Sequence, residues 1–75
     1  MEVPEAVLKA AAPLIEMFGQ DFDFLGEYEG QQAWLFKYPE DEEVGFPSVF
    51  LLKEGKVLEV SGFVALDIVR SFSGE

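Results

Sequence analysis

The stretch DFDFLGEYEGQQAWLFKY, residues 21 to 38, restricts the possible folds of this chain more than any other. Phe22, Phe24 and Tyr28 fall on one alternating parity, and Asp21, Asp23, Glu27 and Glu29 on the other. Successive side chains of a strand point to opposite faces, so this is a strand with one dry and one wet side. Residues 31 to 38 repeat the pattern, with Trp34, Phe36 and Tyr38 on one parity and Ala33, Leu35 and Lys37 on the other. The two runs meet at Glu29-Gly30 and read as a hairpin. Directly paired residues share a face, so a two-residue turn would pair Tyr28 with Gln31 and set aromatics against acids. A three-residue loop, Glu29-Gly30-Gln31, brings all six aromatics together, and the odd loop is therefore expected.

The next run, FPSVFLLKEGKVLEV at residues 46 to 60, departs from that alternation. Phe46, Phe50 and Leu52 lie on one parity, and Val49 and Leu51 on the other, so both faces of the third strand are apolar. Glu54-Gly55 reads as a turn into a fourth strand, VLEV. A two-residue turn there places Leu58 and Val60 beside Leu51 and Val49.

Helices are expected at both ends. Over residues 4 to 18, Val7/Leu8, Ala11/Ala12, Ile15 and Phe18 recur at helical spacing, Pro4 suits a first turn, and Gly19 is a stop. Pro13 removes one hydrogen bond and crowds the carbonyl of Lys9, which predicts a kink or two short helices. Residues 63 to 72 form the other helix, capped at Ser61, with Leu66, Val69 and Phe72 as its stripe. The expected fold is a single α+β domain of order α-β-β-β-β-α: a four-stranded, mainly antiparallel meander with both helices on its aromatic face.

A chain of 75 residues is short for a self-sufficient core. With no Cys and no His, disulfides and the common zinc and haem ligations are excluded. Eight Phe, one Trp and two Tyr must supply the bulk instead. Fifteen acidic against five basic residues give a net charge of −10, which repels phosphate backbones and anionic lipid surfaces. Nucleic-acid and membrane partners are thus not expected, whereas basic proteins or cations would be attracted. The first eighteen residues carry neither a basic signal region nor a long apolar run, which suggests a cytoplasmic location.

No cofactor motif is present, and catalysis lacks its parts. Ser48, Ser61, Ser71 and Ser73 have no imidazole or thiolate to work with. Glu40, Asp41, Glu42 and Glu43 could offer oxygen ligands to Ca²⁺ or Mg²⁺, but without the ligand spacing of a calcium loop. The segment GFPSVFLLKEGKVLEVSG with the helix after it resembles the closing strand-turn-strand-helix of thioredoxin-like domains, over residues 45 to 72. That resemblance implies that Pro47 occupies the place of a cis proline; the redox cysteines of the family are absent, and no activity is carried over.

The functional expectation is a small non-enzymatic interaction module that forms a homodimer through the outer face of its sheet. Leu25, Leu35, Val49 and Leu51 would make the apolar contact, rimmed by Asp21, Asp23, Glu27 and Glu29. The alternative is an acidic inhibitor that uses those four acids to cover a basic protein, or a weak divalent-cation domain.

Overall fold

The computed structural model describes residues 2–38 and 46–73. The acidic run 40–43 therefore lies outside the described residues, as does the end of the chain. Two short helices open the fold, α1 (Glu5–Ala10) and α2 (Ala12–Phe18). They are the broken helix that Pro13 predicts. The break falls at Ala11, and Pro13 sits in the first turn of α2, where its missing N–H would have had no partner in any case.

The strands β1 (Phe22–Tyr28), β2 (Gln31–Phe36), β3 (Ser48–Lys53) and β4 (Lys56–Val60) follow, then α3 (Gly62–Ser73). The sheet is an antiparallel meander in the order β1-β2-β3-β4, as expected for this α+β chain. A hairpin therefore stands where a thioredoxin-like domain would need a strand-helix-strand unit. No peptide bond among the described residues is cis, that of Pro47 included.

Both hairpin turns are Glu-Gly with two residues in the left-handed region: Glu29 and Gly30 at φ 49° and 80°, Glu54 and Gly55 at φ 51° and 76°. Two successive positive φ values define the type I′ turn, whose twist matches that of the flanking strands. The register confirms two-residue connections, with Tyr28 opposite Gln31 and Lys53 opposite Lys56. Glutamate is a poor occupant of the first position, because its Cβ crowds the backbone there, whereas asparagine tolerates it. Glu54→Asn is thus expected to stabilise the domain by about 0.5–1 kcal/mol, a rise of a few degrees in Tm. An unchanged or lower Tm would show that the turn conformation costs nothing.

The three-residue loop expected between β1 and β2 is therefore corrected, and a β-bulge explains why. The register Tyr28↔Gln31, Glu27↔Gln32 and Gly26↔Ala33, continued unbroken, would pair Phe24 with Leu35 and put Asp23 against Phe36. Instead the register shifts between Phe24 and Gly26, Leu25 being the extra residue, and Phe24 pairs with Trp34 and Phe22 with Phe36. The conflict of parity is resolved inside the strand and not at the turn. Phe22 and Phe24 stay with Trp34, Phe36 and Tyr38, while Tyr28 moves to the opposite face.

The placement of both helical segments on one face is also corrected. Val7, Ala11, Leu14, Ile15 and Phe18 pack with Phe22, Trp34, Phe36, Phe50 and Leu52 on one side of the sheet. On the other side, Ala65, Ile68, Val69 and Phe72 of α3 pack with Leu25, Tyr28, Ala33, Leu35, Val49 and Leu51. The fold has three layers, with the sheet in the middle. This accounts for the double apolar parity of β3: Phe50 and Val49, neighbours in sequence, are both 0% exposed, one under α1 and α2, the other under α3. The stripe of α3 is Ala65, Ile68, Val69 and Phe72, spaced i, i+3, i+4, i+7, so Leu66 does not belong to it.

Aromatic edges tie the α1/α2 layer together. Phe36 stands edge-on to Tyr38 at 5.0 Å and to Phe22 at 5.2 Å, and Phe18 edge-on to Tyr38 at 5.1 Å. Ser48 is buried, and its hydroxyl bonds the Tyr38 hydroxyl at 2.9 Å, which satisfies both polar groups at the rim of this core.

Candidate functional site

Three-layer closure redistributes the residues singled out in the sequence. Val49 and Leu51 are buried beneath α3, and Leu25 and Leu35 are half-buried against the same helix. The apolar outer face of the sheet is therefore occupied from within the chain, and a partner approaching it meets α3 first. The outer-face contact is corrected accordingly.

The four acids are all exposed, but they are not brought together. Asp23 lies opposite Leu35 on the α3 side, where its Oδ2 is 3.7 Å from Nζ of Lys37. Glu27 lies opposite Gln32 on the α1/α2 side. Asp21 precedes β1, its carbonyl accepting the Lys37 N–H at 2.8 Å, and Glu29 sits in the turn. The bulge that keeps Phe22 and Phe24 with Trp34 and Phe36 is also what divides the acids. Tyr28 has its hydroxyl pushed up from the usual tyrosine value, first by a hydrogen bond to the Glu29 side chain and then by that carboxylate's charge, so it stays protonated to higher pH.

The hydroxyls are arranged for structure. The Ser71 hydroxyl donates to the Ile68 carbonyl at 3.0 Å, and the partner of Ser48 is another hydroxyl, not a base. Among the described residues no three acidic side chains are grouped so as to hold a metal ion, and no helix is long and apolar enough to cross a membrane.

Among the described residues the large apolar side chains left exposed are Met17 on α2, Phe24 on β1, Leu58 on β4, and Phe46, Phe63 and Val64 around the start of α3. At the start of α3, Phe63 is 74% exposed and Val64 59%, and the Phe63 ring stands edge-on to that of Phe46 at 4.8 Å. The first turn of α3 carries no acid. Beside the β3–β4 turn, Leu58 is 58% exposed and borders an open, shallow depression of about 380 Å³, lined also by Gln31, Lys53, Glu54, Lys56 and Val57.

Sequence reasoning did not single out Phe63, although a signal was present. Phe63 shares its side of α3 with Asp67 and Arg70, at spacings of four and seven. An aromatic on the charged stripe of a helix is out of place in a monomer's surface pattern. Fold and surface together define a class, a small three-layer α+β domain with helices packed on both faces of its sheet and exposed apolar side chains that include a cluster at a helix start and one beside a strand edge. No protein-family model, no curated protein and no solved structure matches the chain.

Proposed function

We propose that the chain is a small non-enzymatic interaction module that associates with a second copy of itself. The contact runs through Phe46, Phe63 and Val64 instead of the sheet face. The observation that carries this reading is the exposure of Phe63, a large aromatic at 74%. Burying such a ring is worth roughly 1.5–3 kcal/mol, and neighbouring apolar groups add to it. Charge favours the same place. A chain of net charge −10 repels its copies over most of its surface, but the first turn of α3 carries no acid, and the Asp67 one turn on is accompanied by Arg70, so repulsion is weaker here. Shortness of chain and the absence of cysteine supply the motive, because small domains without staples gain stability by oligomerising.

The test is the molar mass in solution over a concentration series. The expected result is a concentration-dependent dimer, with Phe63→Asp monomeric at every concentration. Phe63 contributes little to its own core, so the variant keeps its Tm at the concentration where both proteins are monomers. A wild type that remains monomeric at millimolar concentration sinks the reading.

A further inference from the structure

From the β3–β4 hairpin we infer a second binding site: the outer edge of β4 takes an extended peptide with an acidic residue and an apolar residue two positions apart. It goes beyond self-association and uses different side chains, so either can fail alone.

Charge is the first support. Of the cations in this acidic chain, Lys9 lies 3.6 Å from Glu5 and Lys37 lies 3.7 Å from Asp23. Lys53 and Lys56 face each other directly across the turn. Among the described residues neither has a carboxylate within ion-pair distance. Like charges placed directly opposite in a ladder destabilise it, so the pair is a local positive site with no ion-paired carboxylate among the described residues. Glu54, at the turn between them, lines the same depression but forms no ion pair with either ammonium.

Geometry is the second. β4 is an edge strand, so the N–H and C=O groups of alternate residues point away from β3, and among the described residues no strand pairs with them. Lys56 and Leu58 are two residues apart on one face of that edge, the face shared with Lys53 and Gln31. A strand laid alongside puts one residue over Lys56 and another, two positions on, over the exposed Leu58. The first must be an acid, held by the two ammonium groups with the Gln31 amide nearby, and the second must be apolar. Lys56 and Glu59 also guard the edge against neutral strands, since docking one would strip water from both charges without replacing it. The lysines thus select an acidic strand and refuse a plain one.

The experiment titrates ¹⁵N-labelled protein with a capped peptide, acetyl-Thr-Glu-Thr-Leu-Thr-Val-amide, and with a control carrying Lys in place of Glu. Saturable amide shifts confined to residues 53 to 60 are expected, with affinity falling as salt is raised and the control weaker by about tenfold or more. Lys56→Glu is the decisive variant. It replaces a like-charge cross-strand pair by an opposite-charge one, so the hairpin becomes no less stable while the affinity falls about tenfold or more. No saturable shift at millimolar peptide overturns the inference, as does equal binding of the control. Shifts at Phe46 and Phe63 in place of β4 also overturn it, because they would mark the self-association surface as the peptide site.

Discussion

Phe50→Ala is expected to lower the stability by about 3–5 kcal/mol. Phe50 is 0% exposed on an inner strand and sits in the cluster formed with Val7, Ala11, Trp34 and Phe36, with the Phe22 ring 6.1 Å away. Removing the ring loses its transfer free energy and leaves a cavity beneath α1 and α2 that an inner strand cannot collapse to fill. A domain of this size holds only about 4–11 kcal/mol in total. The loss therefore corresponds to a fall in Tm of roughly 15–30 °C, or to a chain largely unfolded at 37 °C. Urea unfolding followed by Trp34 fluorescence reads it directly, since Trp34 belongs to the same cluster. Phe50→Leu, which keeps most of the volume, is expected to cost less than about 1.5 kcal/mol. Equal costs for the two variants would show that this cluster is not close-packed.

Gly26→Ala is expected to cost about 2–3 kcal/mol, through two separable effects. Gly26 closes the bulge with φ at 136°, a region that residues with a Cβ rarely enter. A Cβ there would also lie 2.9 Å from Cε1 of Phe72. The contact is with the far edge of a ring on the last turn of α3, which can swing aside, so the backbone term is the larger. A Phe72→Leu background is the control. In it, Gly26→Ala should retain most of its cost, because removing the ring edge relieves the clash and not the dihedral. If the substitution becomes nearly free in that background, the close approach of α3 and not the bulge is what demands glycine.

That bulge also marks the limit of what could be read from the residues alone. The strands, their order, the break at Pro13, the stop at Gly19 and the Glu54-Gly55 turn were all legible, because each rests on local chemistry: alternation, a missing N–H, a left-handed glycine. The bulge left one local sign, the isolated Gly26 inside a strand pattern, which a reading by alternation passed over. One extra residue, Leu25, reverses the parity of everything beyond it, and alternation alone attributed the mismatch to the turn. The same error of parity hid the layer structure. Val49 and Phe50 announce that both faces of β3 are dry, but nothing in their spacing says what covers each. A missing partner and the chain's own last helix give identical patterns there. Phe63 differs, since its company with Asp67 and Arg70 was visible, and only the one-residue offset in the stripe of α3 concealed it.

The two helical covers close the chain crosswise. α1, near the beginning, meets β3 and β4, and α3, at the end, meets β1 and β3. Each hairpin can zip from its own turn, but both dockings join segments far apart in the chain, and such contacts form slowly because the intervening chain must be ordered first. On a ribosome, where the N-terminal part emerges first, α1 and α2 must wait for β4 before their apolar side has its full seat, and β1 waits for α3. The face of the first hairpin that carries Leu25, Tyr28, Ala33 and Leu35, the side α3 covers, is thus the surface this chain carries uncovered for longest while it is being made.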